Sequence, residues 1–339
     1  MATAAPSREI SAESGLIQAR PGASLWADYF SDRELKAREK REGPTKWLLQ
    51  YMVMSGLAEK RPFPLRLRDL IVYPVQRDQA PISIIWGTVD GLGRNLAIED
   101  IESIGFGTDQ FYMPMHIDDS WGPYTKTVLT VDPSGRGLDK TAWCAMSEGN
   151  GYLWCHGCDG IEGGYEPHVL QELAALAKKY NVGQIIVEDV AGFGMLAQLL
   201  EPHVRQLSSQ GDAHAKAGEW MCRVDTERVK GQKEKRIVTA LEQVMSSHRL
   251  IVSREVAANR TIQHQLTRIT LERGSLAHDD EIDAMASAVR QFEDMLSVDP
   301  IEAAERSRHK YIREQLAEQR KMMGLRSKAS SWFNYHWRK

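Results

Sequence analysis

The chain has 339 residues, 42% hydrophobic and 26% charged, which suits a globular protein with one large domain or two ordinary ones. No apolar run approaches the ~18 residues that a membrane-spanning helix needs, and the first residues lack the apolar stretch of a secretory signal. A net charge of −3 excludes a uniformly basic nucleic-acid coat, and four cysteines are too few for a disulfide scaffold, so a reducing cytoplasm is the expected compartment.

In chain order, residues 1–23 are small and polar. Ser31 and Glu34 have the spacing of a capping box before a charged helix over 35–42, which Gly43 and Pro44 end. Lys46 to Leu57 reads as a second short helix. Residues 65–86 hold two apolar, strand-like runs broken by Pro74 and Pro81, and 106–124 read as irregular connection. From Lys126 the pattern becomes alternating strand and helix. TVLTV (127–131) is a buried strand by its β-branched content and ends at Asp132. TAWCAM and GYLWCHG are the next strands, joined through Glu148-Gly149-Asn150-Gly151, a hairpin signal. Pro167 opens a helix with an apolar stripe at Val169, Leu170, Leu173, Leu176 and Ala177. QIIV (184–187) is a buried strand ending at Glu188-Asp189, and Gly192-Phe193-Gly194 opens the helix that follows. Residues 229–246 form an amphipathic helix, LIVS (250–253) a last strand, and 279–294 a final helix with Ile282, Met285, Ala286 and Val289 inward. The expected fold is a mixed α/β sheet covered by helices.

The carboxylates carry the chemistry. Asp132 and Glu188 end apolar strands, where open α/β sites lie, and Asp279, Asp280 and Asp283 open the last helix. Each acid alone is equally a turn or helix cap, and the helix dipole favours acids in a first turn. Acids from three elements meeting at one sheet edge repel unless a cation neutralises them, and hard oxygen ligands favour Mg²⁺ or Mn²⁺. His278 is a neighbour of this group, either a ligand, a supporting group or a plain cap neighbour.

VLTVDPSGRGLDKT, QIIVEDVAGFGM, GQKEKRIVTALEQVMSSHRLIV and GSLAHDDEIDAMASAV, in this order and spacing, resemble the nuclease region of the phage terminase large subunit, of the T7-type DNA maturase kind. The resemblance spans about residues 125–295. It implies an RNase H-like mixed β-sheet flanked by helices, with an N-terminal accessory or linker region (1–124), a nuclease domain (125–296) and a basic, aromatic C-terminal tail (297–339). It implies two divalent ions, Mg²⁺ or Mn²⁺, and an endonuclease that cuts double-stranded DNA during genome packaging in the cytoplasm of an infected bacterium. Matched residue by residue, the catalytic acids are Asp132, Glu188 and one of Asp279-Asp280, with Asp280 preferred. Asp279 and Asp283 are further metal ligands, and Asp139 falls at an acidic position without an assigned role. The enzyme alternative is a RuvC-like junction resolvase or transposase. The alternative from another class is a non-catalytic packaging adaptor.

The chain departs from full-length terminases in lacking G-x-x-x-x-G-K-[ST], and it holds no Gly-Lys pair at all. The ATPase motor is therefore expected from another chain or a missing segment. Lys230, Lys233, Lys235 and Arg236 are candidate DNA-phosphate contacts, or else a solvated face. No aromatic stacking series stands beside them in sequence. Trp154-Cys155-His156-Gly157-Cys158 has the form of a redox motif but reads as strand then loop, with bystander cysteines. From Ile301 onward ten Lys/Arg face four acids, and the end SSWFNYHWRK mixes aromatics with bases. That tail is expected either to dock on a partner, the portal of the procapsid by the resemblance, or to fold back on its own domain. The small terminase subunit is the other expected partner.

Overall fold

The computed structural model describes residues 6–10, 17–21, 30–44, 46–47, 63–89, 93–134, 140–189, 194–209, 220–296 and 300–322. Most of the expected 46–57 helix, Asp139, Gly192-Phe193 and the aromatic end of the tail lie outside these residues.

The centre is a nine-stranded mixed sheet. Its strands are β1 (Ile71–Val72), β2 (Leu96–Ala97), β3 (Tyr112–Met113), β4 (Lys126–Asp132), β5 (Thr141–Gly149), β6 (Tyr152–Ile161), β7 (Gln184–Glu188), β8 (Arg223–Glu227) and β9 (Leu250–Val252), in the spatial order β8-β7-β4-β5-β6-β9-β1-β3-β2. β4, β5 and β6 are antiparallel neighbours, while β7 lies parallel to β4 and β8 parallel to β7. The β5–β6 hairpin turns at Asn150 and Gly151, both at positive φ (57° and 83°), as the Asn-Gly pair led one to expect. Strands β1 to β3 precede residue 125, yet they extend the same sheet through β9. The sheet thus runs across the boundary expected at 124/125.

Strand alternation sorts the core into two layers. Leu129, Val131, Ile185 and Val187 face helices α2 (Pro167–Lys179) and α3 (Met195–Ser209). Val128, Ile186, Leu250 and Val252 face the opposite layer, built by α4 (Lys233–Ser246), α5 (Arg254–Ala258), α6 (Arg260–Arg268) and α7 (Asp280–Arg290). α1 (Asp32–Glu42) starts with the expected cap, the Ser31 hydroxyl accepting from Glu34 N. α4 starts at Lys233 rather than 229 because Gly231, at φ +108°, sits in a conformation no helix uses. The final helix expected over 279–294 ends at Arg290, and a separate turn follows over Glu293–Leu296. No helix among the described residues is long and apolar enough to cross a membrane, including the last one, Pro300–Met322.

The cysteines of the 154–158 segment are core residues. His156 is an extra residue in β6 between Met146↔Cys155 and Ala145↔Gly157, and this bulge shifts the strand's alternation. Cys155 and Cys158 therefore both reach the α7 side. There Cys144 Sγ lies 3.7 Å from Cys155 Sγ, and Cys158 donates to the Glu281 carbonyl. All three are buried thiols.

Candidate metal centre

The same alternation that builds the two cores aims the acids. Asp132 continues the parity of Val128 and Thr130, and Thr130 Oγ1 donates to the Ala284 carbonyl of α7 at 2.7 Å. Glu188 continues the parity of Ile186. Both carboxylates thus leave the sheet on the face covered by α4 and α7. Since Val131 pairs with Val187 in the parallel β4/β7 register, they leave it side by side. Asp189, one residue on, takes the opposite parity. It accepts from Gly194 N and Arg228 Nε and so anchors the next loop instead.

The third carboxylate comes from the first turn of α7. Asp132, Glu188 and Asp283 each place one oxygen so that all three lie within 4.8 Å of one another. Asp280, the acid preferred on sequence, lies one turn earlier and more exposed, 27% against 1% for Asp283. Asp279 is the residue before the helix. Asp279 and Asp280 join the group through a shared cation. Lys233 Nζ lies 2.8 Å from Asp279, 3.2 Å from Asp280 and 3.5 Å from both Asp132 and Asp283. One turn along α4, Arg236 NH2 donates to both oxygens of Asp283 (2.9 and 2.7 Å) and to Glu188 Oε1 (3.4 Å). His278 is exposed beside the group.

Two of the four candidate DNA-contacting cations are therefore turned inward. Lys233 and Arg236 neutralise carboxylates, and neither forms part of an outer basic face. Lys230 and Lys235 remain exposed, with no carboxylate at ion-pair distance among the described residues. Sequence reasoning missed this pairing, although the i, i+3 spacing of Lys233 and Arg236 on an apolar-faced helix was its signal.

The charges remain incompletely balanced. Among the described residues, Glu188 Oε2 is buried with no hydrogen-bond partner, and Arg236 Nε is likewise unsatisfied. A buried orphan carboxylate oxygen is costly unless something neutralises it. Burial pushes the Asp132 carboxyl up to about 7, Asp283, Glu188 and Asp280 adding to the rise and Lys233 opposing it. Burial and then the Asp283 charge raise Glu188, and burial raises Asp279. Burial pulls the Lys233 ammonium down, but the surrounding carboxylates outweigh it and hold it firmly protonated. This donor set, three converging carboxylates with an unsatisfied buried oxygen, fits a hard divalent cation.

A pH dependence follows. Asp132 holds its proton more tightly folded than unfolded, so its contribution to stability is full below its unfolded value near 4 and lost as pH rises through about 7. The metal-free chain should lose thermal stability between about pH 4 and 7, and Asp132→Asn should flatten that fall. Divalent cations bind the deprotonated carboxylates, so the Mn²⁺-induced gain in Tm should grow over the same window. Scanning fluorimetry in EDTA and in Mn²⁺ measures both.

The sequence family described as the ribonuclease H-like domain of the bacteriophage T7 terminase matches residues 131–250. The terminase large subunit of Enterobacteria phage T3 is 30% identical over 287 residues, covering 80% of this chain and 46% of the relative. The chain thus spans about half the length of that curated relative. Solved structures with partial overlap include the large terminase nuclease of thermophilic phage G20c (16% identity, TM-score 0.36, 66% of this chain and 95% of that one). A second is the human cytomegalovirus terminase nuclease domain, Mn-soaked with inhibitor bound (14%, 0.37, 51% and 86%). A third is the yeast mitochondrial Holliday junction resolvase (14%, 0.32, 51% and 82%).

Proposed function

We propose, from the premise that residues 131–250 belong to the ribonuclease H-like domain family of the T7-type terminase, that this chain is a divalent-cation-dependent endonuclease cutting double-stranded DNA during phage genome packaging. One observation carries the reading: carboxylates from β4, β7 and α7, 56 and 95 residues apart along the chain, meet within 4.8 Å, and one buried oxygen among them, Glu188 Oε2, has no hydrogen-bond partner among the described residues.

Asp132, Glu188 and Asp283 would hold the cations, with Asp279 and Asp280 at the outer rim. Bound Mg²⁺ or Mn²⁺ supplies Lewis-acid charge at the phosphodiester and acidifies an attacking water. The protein's own part is to pre-form the site. The parallel β4/β7 register fixes two carboxylates, and the Thr130–Ala284 hydrogen bond fixes α7 against them. Arg236 orients Asp283 and Glu188, and Lys233 tethers the rim acids, so little reorganisation is needed when DNA arrives. Lys230 and Lys235, exposed where α4 begins, would supply sequence-independent phosphate contact. Residues 125–296 would be the nuclease unit, 1–124 an accessory region that lends three strands to its sheet, and 297–339 a tail that docks on the portal. The small terminase subunit and an ATPase motor complete the assembly proposed to act in the host cytoplasm.

The purified chain should nick and linearise plasmid in Mg²⁺ or Mn²⁺, lose that activity in EDTA, and lose it as Asp132→Ala. Equal degradation by wild type and Asp132→Ala, or degradation in EDTA, would refute the nuclease reading. A preference for four-way junctions over linear duplex would instead favour a resolvase.

A further inference from the structure

An aromatic feature absent from the primary sequence is assembled where the N-terminal region meets α6. Phe63 and Phe106 stack with ring centroids 5.0 Å apart and planes 25° from parallel, and the Arg268 guanidinium carbon lies 3.7 Å from the Phe106 ring centroid. Three segments, more than forty and more than a hundred and sixty residues apart, thus form one π-stack. Phe106 is nevertheless 43% exposed, whereas Phe111 and Phe292 are buried.

The stack is rigidly built. Residues 100–106 are pinned to α5 and α6 in register. Arg254 pairs with Asp100 and Arg260 with Glu102, and the Gln263 amide accepts from Ile104 N and donates to the Glu102 carbonyl. Arg268 on Phe106 is the next contact in that series. Buried Asp109 closes the loop from the other side, accepting from Leu67 N and Arg68 N. Gly105 packs so tightly on Asp109 that a Cβ would fall 2.6 Å from its carbonyl oxygen, and Gly107 takes φ +64°. A Gly-Phe-Gly tip held this firmly, with Phe106 part-exposed although Phe63 and Arg268 lie against its ring, forgoes burial that would otherwise stabilise it.

The surroundings define the ligand. Arg66 and Arg68 follow Phe63 by three and five residues, where Asp109 holds the backbone of Leu67 and Arg68, and none of Arg66, Arg68 or Arg268 has a carboxylate at ion-pair distance among the described residues. Helix α6, which carries Arg268, is also bonded to the acid helix. Gln265, one turn before Arg268 on α6, donates to Glu281 and accepts from Ile282 N at 3.1 Å, in the first turn of α7. Planar π-surfaces and guanidiniums with no carboxylate partner among the described residues match an unstacked nucleobase with its phosphates.

We propose that Phe63, Phe106 and Arg268 form a stacking platform for a base at a DNA end or in a frayed strand, with Arg66 and Arg68 receiving the adjoining phosphates. This inference rests on the nuclease reading for its ligand class, and its test separates the two.

The probe is a short duplex with a single-stranded overhang containing 2-aminopurine, and the same duplex with an abasic overhang, titrated with the full chain in EDTA. Wild type should bind the base-bearing overhang about 10-fold tighter than the abasic one and quench the 2-aminopurine. Phe106→Ala should lose that difference and the quenching while melting near wild type, and Phe106→Trp should keep both. Equal binding of the two overhangs by wild type overturns the platform, a comparison that needs no variant to fold. So does an undiminished preference in Phe106→Ala. Mn²⁺-dependent plasmid nicking is measured on the same preparations. Overhang preference without nicking upholds the platform and sinks the nuclease reading, and nicking without overhang preference does the reverse.

Discussion

Asp283→Asn should abolish metal-dependent cleavage, by about 10³-fold or more, while Asp280→Asn should stay within about 10-fold of wild type. The asymmetry comes from position. Asp283 shares the 4.8 Å cluster with Asp132 and Glu188 and is almost wholly buried, so no other group can take over its charge. Asp280 is a turn away, more exposed, and reaches the cluster only through Lys233. Asp132→Asn and Glu188→Gln should behave like Asp283→Asn. Nicking rates, with Mn²⁺ binding by calorimetry and circular dichroism as a fold check, decide it. A dead Asp280→Asn beside an active Asp283→Asn would move the third ligand back to the residue preferred on sequence.

Arg236→Met should cost the metal-free chain about 3–5 kcal/mol, because it strips the neutralising partner from buried Asp283 and half-satisfied Glu188. For a domain of this size that is a fall in Tm of roughly 6–15 °C. Mn²⁺ should recover part of it, since a bound cation replaces the lost positive charge. Lys233→Met should cost less, about 1 kcal/mol, as Lys233 is 35% exposed and water screens the charges it leaves. Thermal melts of the two variants with and without Mn²⁺ test the ranking. Equal stability of Arg236→Met and wild type would mean that the guanidinium does not balance the cluster.

These contrasts also mark how much of the centre could be read from the chain itself. Asp132 and Glu188 were legible because each ends a run of β-branched or aliphatic residues, and strand alternation then fixes which face it leaves. The α7 acids were legible as a group but not individually. Asp279, Asp280 and Asp283 all suit a helix start, and only the packing of α7 on Thr130 determines which one reaches the two strands. Lys233 and Arg236 read as surface cations because charge on an amphipathic helix is ordinarily solvated. Their inward turn depends on where α4 sits against the sheet, a contact between elements about a hundred residues apart.

The N-terminal region shows the same division. Ser31 and Glu34 foretold their cap because both partners are three residues apart. β1 falls in the first of the strand-like runs read over 65–86, whereas β2 and β3, two residues each, carried no strand pattern, and their hydrogen bonds to β1 and to each other are what make them strands. The Phe63–Phe106–Arg268 stack left no local trace at all, since nothing in GFG or in RPFP alone announces a partner.

By itself the sequence determined the period of each element, the residues that cap and turn it, and the presence of acids at two strand ends and one helix start. Those features depend on neighbours within a few positions. The tertiary structure alone decided which carboxylates share one cation-sized space, which cations balance them, and which rings stack. Such choices are set by distances between segments remote in the chain, and no local pattern encodes them.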